Sequence, residues 1–231
     1  YTYKSLLDAD NISLAKQYLD KAEKLYSQLN PSSDSALTFV RLKIWQAQNA
    51  ITQESNYDEA LTILKEFTKR FNIISSNLIS FIYEKAVESK SIEWCEYCSS
   101  LAKNTTAISN EMKIQIDSLL AQFFLINSKP EKAMQIITKL PRSVSQAFLE
   151  IKCIILISPN DQSLKKKLIS FISQSSEDKR LIATLCLFIA DNCENIKHVA
   201  IDFIIEAIKS TETINQTELR KHIYSSALRI S

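Results

Sequence analysis

The 231-residue sequence contains no glycine and only four prolines. Average usage would place roughly sixteen glycines and about twelve prolines in a chain of this length. Glycine reaches positive φ without steric cost, and phosphate-cradling loops, dinucleotide fingerprints, nucleophile elbows and tight hairpins lean on it. Their absence removes the usual sequence evidence for strand-based enzyme folds. Long apolar runs are missing too. The longest stretch without charge, residues 71–83, includes Asn72, Ser75, Ser76 and Asn77, and is too short and too polar to span a bilayer. No basic segment followed by an apolar run opens the chain, so no signal peptide is read. The five cysteines are irregularly spaced. That argues against a disulfide framework and for the reduced thiols of an intracellular protein.

What is present describes a chain able to bury a core. Hydrophobic residues make up 45% and charged residues 23%, with a net charge of +2. Such a balance gives no overall attraction for a polyanion. Isoleucine outnumbers valine 31 to 4, and lysine outnumbers arginine 22 to 6. This pattern fits an AT-rich coding sequence and accounts for part of the glycine deficit. Composition bias still cannot remove glycine from a site that requires it. The chain opens on Tyr1, which sets the expectation of a segment from a longer protein.

Helical periodicity is nearly continuous. Leu14, Tyr18, Leu25 and Leu29 share one face, then Leu37, Val40, Ile44 and Ile51, then Leu61, Leu64 and Phe67. Spacings of three and four make an apolar stripe that packs on neighbouring helices. The best strand candidate, residues 154–157, sits inside the longer helical pattern of Phe148, Ile151 and Ile155. Breaks fall at Asn30-Pro31-Ser32-Ser33-Asp34, Ser128-Lys129-Pro130, Pro141-Arg142-Ser143, Ser158-Pro159-Asn160-Asp161 and Ser175-Ser176-Glu177-Asp178. Pro130 suits a first helical position, and Asn160 or Asp161 is expected to cap the helix after Pro159. Helices of about ten to nineteen residues joined by short connections follow, as between antiparallel neighbours.

An internal repeat organises these helices. A small residue, an apolar one four later and a small or apolar one three after that recur as Ala15-Leu19-Ala22, Ala60-Leu64-Phe67, Cys95-Ser99-Ala102, Ala133-Ile137-Leu140, Leu164-Leu168-Phe171 and Ala200-Ile204-Ala207. The anchors are separated by 45, 35, 38, 31 and 36 residues. Steps in the mid-thirties with two helices per unit indicate an α-solenoid. Two units, Asn56-Tyr57-Asp58-Glu59-Ala60 with Leu64 and Phe67, and Lys129-Pro130-Glu131-Lys132-Ala133 with Ile137 and Leu140, resemble the second helix of a tetratricopeptide (TPR) repeat. In that family a crowded point twelve positions before the anchor usually holds glycine or another small residue. Here it holds Gln48, Tyr83, Ala121, Lys152 and Phe188. The resemblance therefore implies TPR-like antiparallel helix pairs with irregular, more loosely packed repeats. The expected architecture is an all-α solenoid of about five complete pairs over residues 1–231, with an incomplete unit at each end, the last helix being 215–230.

The unit Ser13-Leu14-Ala15-Lys16-Gln17-Tyr18-Leu19-Asp20-Lys21-Ala22-Glu23-Lys24-Leu25 is similar to the A-x-x-W/Y-L-x-x-A-x-x-L unit of the Spo-twenty-two/Zip-four meiotic scaffold family. A long apolar helix over residues 36–51 and then Tyr57-Asp58-Glu59-Ala60 follow in the same order as in that family. The resemblance implies a nuclear protein that assembles crossover and synaptonemal complex factors in meiosis. The alternative is a subunit of another intracellular complex, nuclear or cytoplasmic, such as a cohesin loader, an RNA-decay complex or an acetyltransferase auxiliary subunit.

The residues with chemical potential have simpler readings. Cys95 and Cys98 form a C-x-x-C, which would serve redox chemistry or half a zinc site with Cys193 and His198. No strand precedes it, and Cys95 occupies a repeat anchor, where a thiol packs as a small hydrophobe. The run Lys165-Lys166-Lys167 lies between Leu164 and Leu168, lacks interleaved aromatics and reads as a solvated helix face, so direct nucleic-acid binding is not expected. His198 and His222 lack the partners of a triad. Glu218, four residues before His222, reads as a helix-face pair. No paired acid and base, metal set or phosphate loop is visible, and no enzyme, cofactor or metal is expected. Trp45 and Trp94 are each a seam residue or an exposed anchor. If the first helix of each pair lines a groove for a peptide or helix of another protein, the anchor offsets put Trp45, Asn49, Asn77, Ser80, Glu84, Gln115, Ser118 and Gln122 on it.

Overall fold

The computed structural model describes residues 33–175 and 178–193, with isolated helical positions within 14–25 and at 199, 201 and 202. Several expectations lie outside the described residues: Ser13, Ala15, Lys16, Leu19 and Glu23 of the 13–25 unit, Leu29, the break at 30–32, Ser176 and Glu177, the Ala200-Ile204-Ala207 set, His198 and His222 with Glu218, and the helix at 215–230. Among the described residues every regular element is an α-helix. The packing divides the chain into two compact units, Tyr1–Asn110 and Glu111–Ser231.

The first unit contains α1 (Ser33–Glu54), α2 (Tyr57–Phe71), α3 (Ser76–Ser89) and α4 (Ile92–Lys103). Helix α1 packs on α2 and on α3, and α3 packs on α4. The local sequence explains α2 well. Asn56 Oδ1 accepts from the Glu59 backbone N–H at 3.0 Å, and Asn56 Nδ2 donates to Glu59 Oε2 at 3.1 Å. This reciprocal cap satisfies an otherwise orphaned donor. Asp58 and Glu59 lie in the first turn and Lys69 and Arg70 in the last, each complementing the helix dipole. Leu61, Leu64 and Phe67 are all buried, as their spacing predicts. In α1 the stripe is rotated from the expected one. Leu37 is exposed, while Phe39, Val40, Ala47, Ala50 and Ile51 form the buried face. Phe39 decides this, because its ring meets Phe67 and Phe71 edge to face at 5.3 and 5.0 Å.

The second unit contains α5 (Asn110–Ile126), α6 (Pro130–Ile137), α7 (Val144–Ile157), α8 (Leu164–Gln174) and α9 (Lys179–Asn192). Helix α7 packs on α6, α8 and α9. Pro130 opens α6 at the expected first position, and residues 154–157 belong to α7, not to a strand. Ser143 Oγ caps α7 by accepting from Gln146 N–H at 3.1 Å, and Asp178 Oδ1 caps α9 by accepting from Leu181 N–H at 2.9 Å. Two expectations are corrected. Neither Asn160 nor Asp161 caps α8. The Asp161 carboxylate instead accepts from Ser163 N–H at 2.7 Å, which tightens a turn and delays the helix to Leu164. Lengths also exceed the expected range at both ends, with 22 residues in α1 and 8 in α6. No helix breaker interrupts residues 33–54, whereas Pro141 lies just beyond the turn that ends α6.

Glycine's absence is visible at the helix ends. Ser55, Asn72, Lys90 and Ser128 hold φ of 51°, 51°, 52° and 56°. Ser128 completes a full C-terminal motif: Lys129 N–H donates to Phe124 O at 2.8 Å and Ser128 N–H to Leu125 O at 3.1 Å. Asparagine tolerates this conformation, but lysine and serine carry a Cβ clash there. Lys90→Gly and Ser128→Gly are each expected to raise stability by about 0.5–1 kcal/mol, net of the entropy glycine adds to the unfolded chain. The urea midpoint measures it, and an unchanged or lowered midpoint would refute it.

Candidate docking surface

Three of the described repeat anchors share a register. Ala60, Cys95 and Ala133 are each the fourth residue of their helix, α2, α4 and α6, and all are fully buried. Leu164 is buried as the first residue of α8. The residues four later, Leu64, Ser99, Ile137 and Leu168, are buried as well. The C-x-x-C pair is therefore inside a helix seam. The Cys98 thiol donates to the Ile79 carbonyl at 3.7 Å. Burial, followed by the nearby Cys95 and Cys98, raises the Tyr83 hydroxyl above its ordinary range. Burial also pushes the thiols of Cys153 and Cys186 up to about 12 and raises that of Cys193. Such thiols stay protonated and behave as packing groups, not nucleophiles. Among the described residues no group of three or more histidine, cysteine, aspartate or glutamate side chains could hold a metal ion.

The anchors leave the odd-numbered helices to present the candidate surface. Trp45 and Asn49 lie on α1, Asn77, Ser80 and Glu84 on α3, and Gln115, Ser118 and Gln122 on α5. Trp45 is 38% exposed, whereas Trp94, 1% exposed, is a seam residue of α4 against Tyr57. Asn77, Ser80, Glu84, Gln115 and Gln122 are exposed, and Asn49 and Ser118 are half-buried. Contact between α1 and α3 brings the first five onto adjacent helices of one unit. The other three belong to the second unit. Beside Glu84, Lys85 is buried, and its ammonium donates to Glu88 Oε2 at 2.7 Å. A tie between even helices holds the first unit from behind. Tyr97 Oη donates to the Leu64 carbonyl at 2.9 Å and lies 2.6 Å from Thr68 Oγ1. Burial pushes this hydroxyl up to about 12, against the opposing pull of the Thr68 bond.

Gln122 borders a largely apolar groove of about 290 Å³ between α5, α7 and α9. Leu125 and Ile126 line it from α5, Phe148 and Lys152 from α7, and Leu181 from α9. Lys152 is one of the residues at the crowded point, and so is Phe188. Their helices pack together, and Lys152 Nζ lies 4.6 Å from the Phe188 ring centre and 5.1 Å from that of Phe148. Burial lowers the Lys152 pKa. At the crowded point Gln48, Tyr83, Lys152 and Phe188 are half-buried and only the small Ala121 is fully buried. The sequence reading missed this groove. Its trace was Phe148-x-x-x-Lys152, a spacing that lays a cation over a ring on one helix face.

A polar cavity of about 340 Å³ lies between α7 and α8. Two of its charges pair across it: Lys167 Nζ contacts Glu150 Oε1 at 2.5 Å, and Gln146 Nε2 donates to Glu150 Oε2 at 3.2 Å. Of the three-lysine run, Lys165 and Lys166 are exposed as expected, while Lys167 reaches across to α7. Among the described residues no helix is long and apolar enough to cross a membrane. Compared with family models, curated proteins and solved structures, the chain matches none.

Proposed function

We propose that this chain is a non-catalytic scaffold for protein–protein interaction, a TPR-like α-solenoid segment whose odd-numbered helices receive a peptide or helix from another protein. The observation that carries the reading is packing between alternate helices. Helix α1 contacts α3, and α7 contacts α9, each skipping the helix between them. Stacked helix pairs make this contact when their first helices line up along one face. The shared register of Ala60, Cys95 and Ala133 supports the same arrangement. In the first unit the exposed Asn77 and Glu84 of α3 suit hydrogen bonds to a bound backbone, with Trp45 of α1 as an apolar anchor; in the second unit the exposed Gln115 and Gln122 of α5 suit such bonds by themselves.

The partner class follows from the resemblance of residues 13–25, 36–51 and 57–60 to the meiotic scaffold family. It assigns the protein to the nucleus and to assembly of crossover or synaptonemal complex factors. Affinity purification with the full chain from meiotic and vegetative cells tests this. Crossover or synapsis factors are expected from meiotic cells only, with recovery reduced more than tenfold by the double substitution Trp45→Ala, Asn49→Ala. Recovery of housekeeping partners alone would sink the meiotic assignment. Undiminished recovery by the double variant would sink the assignment of the α1 surface.

A further inference from the structure

We propose that the groove between α5, α7 and α9 docks a partner segment carrying an aspartate or glutamate flanked by large apolar side chains. Lys152 would receive the carboxylate, and Leu125, Ile126 and Phe148 the apolar groups. This rests on the docking reading above and names the chemistry of the ligand.

Charge complementarity commits the groove to an acidic segment. Lys152 is half-buried, and among the described residues no carboxylate pairs with it. The nearest acid on its own helix, Glu150, is held by Lys167 and Gln146. The rings of Phe148 and Phe188 compensate the ammonium only in part, since a cation over a ring is worth about 0.5–2 kcal/mol. Removing such a charge from water without a counter-ion is unfavourable, and a carboxylate arriving in the groove would reverse that. Depression of the Lys152 pKa by burial agrees with this picture. The apolar requirement has a separate source. Ile126 ends α5 with 74% of its surface exposed, next to Leu125 and Phe148 at the groove wall. A large apolar side chain so placed contributes little to folding and much to association once covered. A groove of about 290 Å³ has room for a few side chains, not for a whole domain face.

The test is selection of peptides from a random display library by the immobilised full-length chain. Enriched peptides are expected to place Asp or Glu between large apolar residues. Their affinity should fall more than tenfold with Lys152→Glu and with Ile126→Asp, persist with Lys152→Arg, and be unchanged by Ile169→Ala, a substitution at an exposed position outside the groove. Ile126 is exposed, so its variant keeps the test sound if Lys152→Glu fails to fold by circular dichroism. Enriched peptides without an acid, or peptides indifferent to both substitutions, would overturn the proposal. Peptides sensitive only to Trp45→Ala would overturn it too, while leaving the docking reading standing. No enrichment at all would count against both. A concentration-dependent dimer dissolved by Lys152→Glu in sedimentation would also overturn it, with a second copy as the occupant.

Discussion

Trp94→Ala is expected to lower the stability of the folded chain by about 3–5 kcal/mol. Trp94 is 1% exposed in α4, and its ring meets Tyr57 of α2 edge to face at 6.3 Å. Its neighbours Cys95, Cys98, Leu101 and Ala102 are buried in the same helix. Truncation to alanine removes the largest fully buried side chain among the described residues and leaves a cavity that the rigid seam cannot close. Against a typical total of about 5–15 kcal/mol, that loss would leave the first unit marginal. Trp94→Phe separates packing from hydrogen bonding. The indole Nε1 is buried and has no hydrogen-bond partner. Phenylalanine gives up some volume but also removes that unsatisfied donor, so it should fall within about 1 kcal/mol of wild type. Urea unfolding followed by far-ultraviolet circular dichroism measures both. An alanine variant within about 1 kcal/mol of wild type would show that α4 is not packed through this side chain.

Phe171→Ala should have a comparable effect in the second unit, about 3–5 kcal/mol. Phe171 closes the α8 stripe begun by Leu164 and Leu168, and all three are fully buried in one cluster with Ile151, Ile155 and several α9 residues. Its ring rests on Phe148 with centres 6.1 Å apart. Loss of this ring therefore weakens α8 and also loosens a wall of the α5–α7–α9 groove. Native-state hydrogen exchange should show α8 amides losing protection before those of α2, while Phe171→Leu, which largely keeps the volume, should cost less than about 1.5 kcal/mol. Unchanged protection in α8 would contradict the assigned packing. The exposed Ile169, two residues earlier on the opposite side of α8, serves as the control, because its truncation should change stability by no more than about 0.5 kcal/mol.

Much of this architecture was legible in the residues. Spacings of three and four identify the buried faces of α2, α7 and α8, since a helix returns to the same side every 3.6 residues. Ser143 at a cap and Pro130 at a first turn announce their roles because each acts on backbone within one turn of itself. The expectation for Asp161 fails on the same scale. Its carboxylate accepts from the Ser163 N–H, in the turn before the helix, and not from a backbone N–H of the helix itself. Without glycine, turn positions carry no marker, so nothing in Lys90 or Ser128 signals positive φ. Their conformation comes from the helix ends that need those carbonyls satisfied.

The sequence by itself determined that the chain folds as helices, where most of them begin, and which small residues sit in their seams. These features depend on neighbours a few positions away. Tertiary structure decided which of two tryptophans is buried, that Phe39 and not Leu37 faces inward, and that Lys152 shares a groove with Ile126 and Leu181. Each of these depends on helices separated along the chain by tens of residues. Periodicity says which side of a helix is apolar, but only packing says what stands opposite it and how much of it water still reaches.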